Sequence, residues 1–484
     1  MSFNSFEFLI FFLLVFAVHF LCSHRHRWLL LLIASYYFYA TWSPQYVTWL
    51  VISTLLAYIL ALLIAQASRE GWRKRLLALS IVSNLGMLFA FKYFNFVNDS
   101  LKVLFNQFNL FYNVPAFKVL LPVGISFYTL QTISYTIDVY RGEIAPEKHL
   151  GIFALYVSFF PRLVAGPIER AGHLLPQFRR QHSIDAPRAF SGLRLVLWGM
   201  FKKVVVADRL VVYVNAVYNN PLDYYGWTVV LATFFCAVQI YCDFSGYSDI
   251  AVGASRVLGY DLTENFRQPY CASSVSEFWR RWHISLSSWF RDYLYIPLGG
   301  NRVPRWRWYA NLLIVFLVSG LWHGANWTFV LWGALHGLYV VVEVWSKKAR
   351  DKVAQAFHLE QSAVRTIVGT VVTFSLVSFG WIFFQAKSVS YALLLVRNLV
   401  QFNVQSDIYA PWGGITDNLG LEMTLSLGLI VLLAFVHFVR DQRLRLPSFM
   451  VKKAWVRWAV YLLWALAIMN LGVAKETPFL YTTF

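Results

Sequence analysis

The sequence has few charged residues and is especially poor in acidic ones. Only 14% of its 484 residues are charged, with 24 Asp and Glu against 42 Lys and Arg. Soluble domains are usually about 25% charged, whereas 58% of this chain is hydrophobic. Apolar runs of membrane-spanning length recur along the whole chain, so the composition predicts an all-α polytopic membrane protein and argues against a soluble globular fold.

Several familiar motifs and spacings are also missing. The chain contains no GxxxxGK[ST], GxGxxG, HExxH or GxSxG sequence, which removes support for nucleotide hydrolysis, metalloprotease and serine-hydrolase functions. The four cysteines lack CxxC spacing and lie in or beside apolar runs. They are typical of small packing residues, so we expect neither a disulfide framework nor a metal site.

The net charge of +18 has two interpretations. It could indicate a nucleic-acid partner, but in membrane proteins Lys and Arg gather in cytoplasmic loops. The loops SREGWRKR and RDQRLRLPSFMVKK fit the second interpretation. We therefore expect membrane lipids and no nucleic acid as partners, and both termini on the extracytoplasmic side.

The apolar runs predict a single membrane domain, 1–484, with about 10–12 membrane segments. The segment 150–165 is short and has basic flanks, which favours a re-entrant segment. The region 311–345 is basic at both ends, which predicts a helical hairpin that turns near Gly324. The remaining spans are predicted at 5–22, 29–44, 46–66, 77–94, 121–140, 192–218, 227–258, 365–385, 423–439 and 455–473.

His323 lies in the middle of the run NLLIVFLVSGLWHGANW. An ionisable side chain at membrane depth is costly and is a functional-site hypothesis by default. A neutral imidazole in a dry pocket can act as a general base towards a hydroxyl. Trp322 and Trp327 could wall the pocket, and Asn326 could bind a substrate oxygen. A hydrogen-bonded core histidine is the structural alternative, and His336 competes for the catalytic role.

The segment 273–291 has the periodicity of an amphipathic helix that begins with a Ser274–Glu277 capping box. One face carries Phe278, Trp282, Leu286 and Trp289, and the other carries Arg280, His283, Ser287 and Arg291. The polar face could contact lipid phosphates. Alternatively, it could bind a phosphate-bearing acyl donor from the cytoplasm, which makes His283 a second candidate for chemistry.

The run DFSGYSD places Asp243 and Asp249 within seven residues, at the inner half of a predicted span. Pairing with the Arg-rich loop that follows is the favoured role, and lining a substrate pocket is the second.

Five motifs together resemble the bacterial polysaccharide O-acetylation branch of the membrane-bound O-acyltransferase (MBOAT) family. They are RLVAGPIER, CDFSGYSDIAVGASRVLGY, NFRQPY, EFWRRWHISLSSWFRDYLYIPLGGNR and GLWHGANWTFVLWGALHG. The resemblance covers nearly the whole chain, with a catalytic core at about 121–345. It implies helices around a central funnel, His323 as the catalytic residue and His283 as a second functional position.

The resemblance also implies the substrates and the partner. The donor would be acetyl-CoA or another acyl thioester from the cytoplasm, with no bound cofactor. The acceptor would be alginate, peptidoglycan or cellulose, reached through an extracytoplasmic SGNH-type acetyltransferase. D-alanyl transfer to teichoic acid is the nearest alternative, and a transporter of a small molecule or lipid-linked sugar is the alternative from another class.

The extracytoplasmic tail is predicted at 474–484 and ends in FLYTTF. This ending resembles the FxYxxF tail of some related systems, in which the Tyr hydroxyl relays the acyl group. The resemblance implies that role for Tyr481, although the two Thr after it depart from the usual pattern. An aromatic tail that rests at the membrane interface is the structural alternative.

Overall fold

Every regular element in the described residues is a helix, which confirms the all-α class. The computed structural model describes residues 1–117, 121–164, 166–358, 362–403, 407–412, 418–440, 453–472 and 479. These residues pack into two compact units. The first is made of Met1–Val196 and Ile250–Glu264, and the second of Leu197–Asp249 and Asn265–Thr483.

Among the described residues, the first unit contains nine α-helices, one π-helix and most of a tenth α-helix. They are α1 (Phe6–Leu21), α2 (His24–Ala40), α3 (Pro44–Gln66), α4 (Glu70–Leu88), a π-helix (Phe89–Tyr93), α5 (Phe94–Gln107), α6 (Ile125–Arg141), α7 (Leu150–Ser158), α8 (Phe160–Leu163), α9 (Ala171–Arg179) and α10 (Ala186–Met200).

The predicted span at 77–94 belongs to a helix that is longer than the sequence predicts. The expected span covers 77–94, whereas α4, the π-helix and α5 form one rod from Glu70 to Gln107. Its 38 residues reach about 57 Å at the usual rise per residue, well beyond the ~30 Å hydrocarbon thickness. The helix therefore continues from residue 95 to Gln107, beyond the predicted span.

The segment predicted to be re-entrant forms two short buried helices, α7 and α8. The nine residues of α7 rise only about 14 Å, too little to cross a bilayer. The buried guanidinium of Arg162 donates from Nη2 to the carbonyl oxygens of Tyr156 and Val157, at 2.5 and 2.7 Å. These carbonyls lie at the open end of α7, so the arginine satisfies acceptors that the helix itself leaves unpaired.

The second unit holds the remaining helices. They are the end of α10, a π-helix (Phe201–Ala207), α11 (Asp208–Asn219), most of α12 (Trp227–Leu258), α13 (Val275–Arg281), α14 (Ile284–Phe290), a π-helix (Arg291–Tyr295), α15 (Arg305–His323), α16 (Trp327–Ala356), α17 (Ala363–Gln385), α18 (Val389–Leu399), α19 (Leu419–Arg440) and α20 (Ala454–Leu471).

Seven helices of the described part of the chain are long and apolar enough to cross a membrane. They are Pro44–Gln66, Glu70–Gln107, Trp227–Leu258, Trp327–Ala356, Ala363–Gln385, Leu419–Val439 and Ala454–Leu471. The predicted crossing at 192–218 is helical but is not among them, because Lys202, Lys203 and Arg209 interrupt its apolar character. The number of crossings beyond these seven, and the central funnel, stay predictions.

The predicted hairpin is present as α15 and α16, which turn at 324–326. Two glycines let the helices cross closely. A Cβ placed on Gly320 would lie 3.3 Å from the Cα of Gly333, a spacing that a larger residue on either helix would force apart. This close crossing places the end of α15 beside the first turns of α16, where the candidate site lies.

Candidate active site

The imidazole of His323 ends α15 and is buried among aromatic rings. Only 3% of the residue is exposed. Its ring centroid lies 4.9 Å from that of Trp322, 5.0 Å from that of Trp332 and 5.4 Å from that of Phe384, each nearly edge-on. Trp332 comes from α16 and Phe384 from α17, so three helices build an apolar wall around one ionisable group.

The segment that carries His283 is two helices and not one, so the predicted continuous amphipathic helix is wrong. α13 ends at Arg281, and His283 adopts a left-handed backbone with φ of +43° before α14 begins. Asn265 satisfies the start of the new helix. Its carbonyl oxygen accepts from Ile284 N at 3.0 Å, and its Oδ1 accepts from Ser285 N at 3.2 Å. Such strained backbone is costly for a residue with a Cβ and is concentrated at functional sites.

The break between the two helices changes which residues lie on the predicted polar face. The apolar face is buried as predicted, including Phe278 and Trp282. On the other face Arg280 and Arg291 are exposed, but His283 is only 1% exposed. The left-handed turn therefore removes the histidine from the polar face and directs it into the protein.

His283 lies outside the seven candidate spans, and burial lowers its pKa to about 3. Its imidazole is therefore neutral at neutral pH. The ring of Phe244 meets it edge-on at 4.6 Å between centroids.

The indole of Trp322 contacts both candidate histidines. Its ring centroid is 6.0 Å from that of His283 and 4.9 Å from that of His323. The structure thus brings two residues that are forty positions apart in the sequence against one indole.

Asn326 caps α16, a role that its type makes common. Its Oδ1 accepts from Thr328 N at 3.0 Å, and its Nδ2 donates to the carbonyl oxygen of Lys387 at 3.2 Å. Trp327, the first residue of α16, is 54% exposed, unlike the buried Trp322. The described geometry gives Asn326 a structural role and leaves its substrate role, and that of Trp327, as predictions.

Ser287 is engaged by backbone rather than turned outward. Its hydroxyl donates to the carbonyl oxygen of Trp282 at 3.1 Å, which helps to close the break before α14. Arg280 remains exposed and is thereby accessible to a charged ligand or to lipid.

The two aspartates of the DFSGYSD run are paired, but with lysines and not with the Arg-rich loop. Asp243 lies 2.7 Å from Nζ of Lys203, and Asp249 lies 2.7 Å from Nζ of Lys202. The predicted pairing with the loop is wrong, because α10 and the π-helix after it bring these lysines onto the inner part of α12. Neither lysine was predicted to support the site. Their signal was two adjacent cations within an otherwise apolar run.

Tyr481 lies outside the described residues, but Phe479 is described. It is 3% exposed, and its ring stacks on Tyr247 at 4.3 Å and lies 5.8 Å from Phe244. Phe244 also touches His283. The tail therefore has one anchor in the same aromatic cluster as the second candidate histidine.

His336, the competing histidine, lies one turn beyond Trp332 on α16. Its Nδ1 accepts from Trp279 Nε1 at 3.3 Å, and the residue is fully buried. Its ring is 5.0 Å from Trp332, so Trp332 separates it from His323. Among the residues that the structure describes, no group of three His, Cys, Asp or Glu is placed to hold a metal ion.

Comparison with known proteins identifies the family of the chain. The model of the MBOAT, membrane-bound O-acyltransferase family, matches residues 147–386. Over the full length of both chains the protein is 37% identical to a probable alginate O-acetylase of Pseudomonas putida. The chain belongs to the membrane-bound O-acyltransferase family.

Two further relatives place the MBOAT chain within that family. It is 34% identical to a peptidoglycan O-acetyltransferase of Helicobacter pylori, over 77% of this chain and 73% of the relative. It is 27% identical to a teichoic acid D-alanyltransferase of Bacillus subtilis, over 55% of this chain and 69% of the relative. The protein is thus an O-acyltransferase, and its greater similarity is to O-acetylating members.

The cap at Asn326 generates a prediction for this MBOAT protein. Asn326→Ala removes the side-chain oxygen and should destabilise the hairpin by about 1 kcal/mol, whereas Asn326→Asp keeps the capping oxygen and should cost less. We expect both variants to retain their activity per folded molecule. Thermal unfolding in detergent and acyl transfer normalised to monodisperse protein measure the two quantities. A stable Asn326→Asp variant with a tenfold loss of transfer would instead assign the amide to substrate binding.

Proposed function

We propose that the protein transfers acetyl groups from a cytoplasmic thioester across the inner membrane for O-acetylation of an extracytoplasmic polysaccharide. The donor is acetyl-CoA or a related acyl thioester, and the acceptor is a polymer of the alginate, peptidoglycan or cellulose type. His323 acts as the general base, His283 supports the same reaction, and Tyr481 relays the acyl group.

The contact of two buried histidines with Trp322 carries this proposal. An acyl transfer needs a base that can take a hydroxyl proton, and a water-poor site that limits hydrolysis of the thioester. His323 is 3% exposed and is enclosed by Trp322, Trp332 and Phe384. A transporter site for an intact sugar would need no base in such a wall.

The relatives support acetyl transfer over D-alanyl transfer. The chain is 37% identical over its full length to a probable alginate O-acetylase. It is 27% identical to the D-alanyltransferase, over about half of this chain. The peptidoglycan O-acetyltransferase, at 34%, supports a polysaccharide acceptor without choosing among polymers.

The proposed reaction moves one proton, forms one carbon–oxygen bond and breaks one carbon–sulfur bond. His323 takes the proton of the attacking hydroxyl while the hydroxyl oxygen bonds to the carbonyl carbon of the thioester. The carbon–sulfur bond then breaks, and the thiolate takes the proton back from the imidazolium. An ester and a free thiol result. A phenol of pKa ~10 is a weak nucleophile until a base removes its proton, so Tyr481 depends on the histidine.

The exposure of Arg280 supports a phosphate-bearing donor in this proposal. Arg280 is exposed near His283 in the sequence, and its guanidinium suits the phosphates of a nucleotide-bearing thioester. On the outer side, an SGNH-type acetyltransferase would pass the acyl group from Tyr481 to the polymer. Both termini are extracytoplasmic in this proposal, as the basic loops indicate.

We expect the acetyl group to be transferred at the membrane while its carrier, CoA, stays on the cytoplasmic side. Inverted vesicles that contain the protein are given acetyl-CoA with one isotope on the acetyl group and another on CoA. We expect acetyl label to become bound to protein or enclosed polymer while CoA label stays outside. Uptake of both labels together would contradict acyl transfer and favour the transporter.

Replacement of His323 by Ala or Gln should abolish transfer while the protein stays folded. Loss of one acid–base group typically costs ~10²–10⁴-fold in rate. The double-label assay measures the rate, and gel filtration in detergent reports folding.

His283→Ala and His336→Gln serve as matched comparisons in that assay. His283→Ala should lower transfer, and an effect confined to donor KM would assign it to binding. His336→Gln should affect transfer far less, since Trp332 separates it from His323. Near-normal transfer by His323→Ala would move the base to one of these two.

Tyr481→Phe should block transfer to the polymer, because it removes only the hydroxyl and keeps the aromatic ring. Phe479 lies in the cluster that contains His283, and two extended residues add only about 7 Å, so the phenol can reach the same site. Mass spectrometry of the tail peptide should find an acetyl group on Tyr481 of the unmodified protein. Full polymer acetylation by Tyr481→Phe at normal abundance would reduce the tail to an interfacial anchor.

A further inference from the structure

Two lysines are buried in the chain where the helix between α10 and α11 widens into a π-helix. Lys202 is 2% exposed and Lys203 is 1% exposed. π-helices are rare, and they are frequent at functional sites. Charged groups in apolar helices are expensive unless they are paired, so this segment has a structural cost that its neighbours must offset.

Three aspartates pair with the positive charges of the two lysines. Lys203 lies 2.8 Å from Asp208 and 2.7 Å from Asp243. Lys202 lies 2.7 Å from Asp249 and donates to the hydroxyl of Ser245 at 2.8 Å. Lys203 thus joins the π-helix and the start of α11 to the middle of α12.

Close backbone packing accompanies these ion pairs. A Cβ on Gly246 would lie 2.8 Å from the carbonyl oxygen of Gly199 and 3.1 Å from the backbone nitrogen of Lys203. The backbones therefore touch next to the charges, so a shift of the π-helix would be transmitted directly to α12.

Phe244, the residue after Asp243, connects this ion pair to the candidate active site. Phe244 is fully buried, and its ring centroid lies 4.6 Å from that of His283 and 5.8 Å from that of Phe479. Tyr247, one turn later on α12, stacks on Phe479 at 4.3 Å. The same turn of α12 therefore contacts a candidate catalytic side chain and the anchor of the tail.

We propose that Lys203 is a positioning residue which, through Asp243, holds Phe244 and Tyr247 as the seat for the tail residue Phe479 beside His283. Lys203 contacts no substrate in this role. It fixes the turn of α12 on which both the tail and the imidazole rest. The catalytic consequence of the seat rests on the proposed relay by Tyr481, whereas the seat itself does not.

The seat can be tested without any acyl transfer. Phe479 is replaced by p-benzoylphenylalanine, which keeps an aromatic ring in the seat, and the full-length protein is irradiated in detergent. Mass spectrometry then measures cross-linking to the α12 peptide that contains Phe244 and Tyr247. We expect Lys203→Met to lower the yield about tenfold, the scale of coupling between residues that share one network. Lys203→Arg, which keeps the positive charge that pairs with Asp208 and Asp243, should recover most of it.

Arg162→Met is the matched control. Arg162 is also buried, but its guanidinium donates to the carbonyl oxygens of Tyr156 and Val157 in the first unit. It should keep the cross-linking yield. An unchanged yield in Lys203→Met, or an equal loss in Arg162→Met, would overturn the proposal. If Lys203→Met does not accumulate as folded protein, Lys203→Arg decides alone: a yield as low as that of Asp243→Asn would also overturn it.

Transfer kinetics separate this inference from the proposed function. A displaced seat should lower kcat by about 10²-fold, because misplacement of about 1 Å has that effect, and should leave the donor KM unchanged. Conversely, cross-linking could depend on Lys203 while Tyr481 is never found acylated. That result would support the positioning role of Lys203 and refute the relay by Tyr481.

Discussion

The structure depends on the rule that charge inside apolar helices must be paired. Lys202 and Lys203 interrupt an otherwise apolar segment, and Asp249, Asp243 and Asp208 pair with them at 2.7–2.8 Å. Removal of one partner from such a pair leaves an uncompensated buried charge, which is far more costly than the net gain from the pair. The pairs therefore specify one relative placement of the π-helix and α12, and everything that packs on α12 inherits that placement.

The aromatic wall has a different function from the ion pairs. Rings from α15, α16 and α17 surround His323, and the rings of Phe244, Phe266 and Trp322 lie around His283. Burial favours the neutral form of an imidazole. One set of interactions keeps charges in place, and the other encloses two imidazoles in apolar surroundings, within the same unit of the fold.

Particular residues show where sequence patterns were sufficient and where they failed. Apolar length predicted α12 with its observed bounds, and basic flanks predicted the α15–α16 hairpin with His323 at its turn. Periodicity predicted the buried face of 273–291 but missed the break at His283. The pattern of side chains is nearly the same for one helix or two, while the left-handed turn is stabilised by Asn265, a residue some twenty positions away.

The sequence alone determined the all-helical membrane class, the family resemblance and the candidate histidines, because these follow from composition, local periodicity and short motifs. Only the tertiary structure decided which groups meet. Trp322 against both His283 and His323, the pairing of Asp243 with Lys203, and Phe479 against Tyr247 all join residues distant in the chain. Such contacts are fixed by packing among helices, and a linear pattern carries no record of which helix faces which.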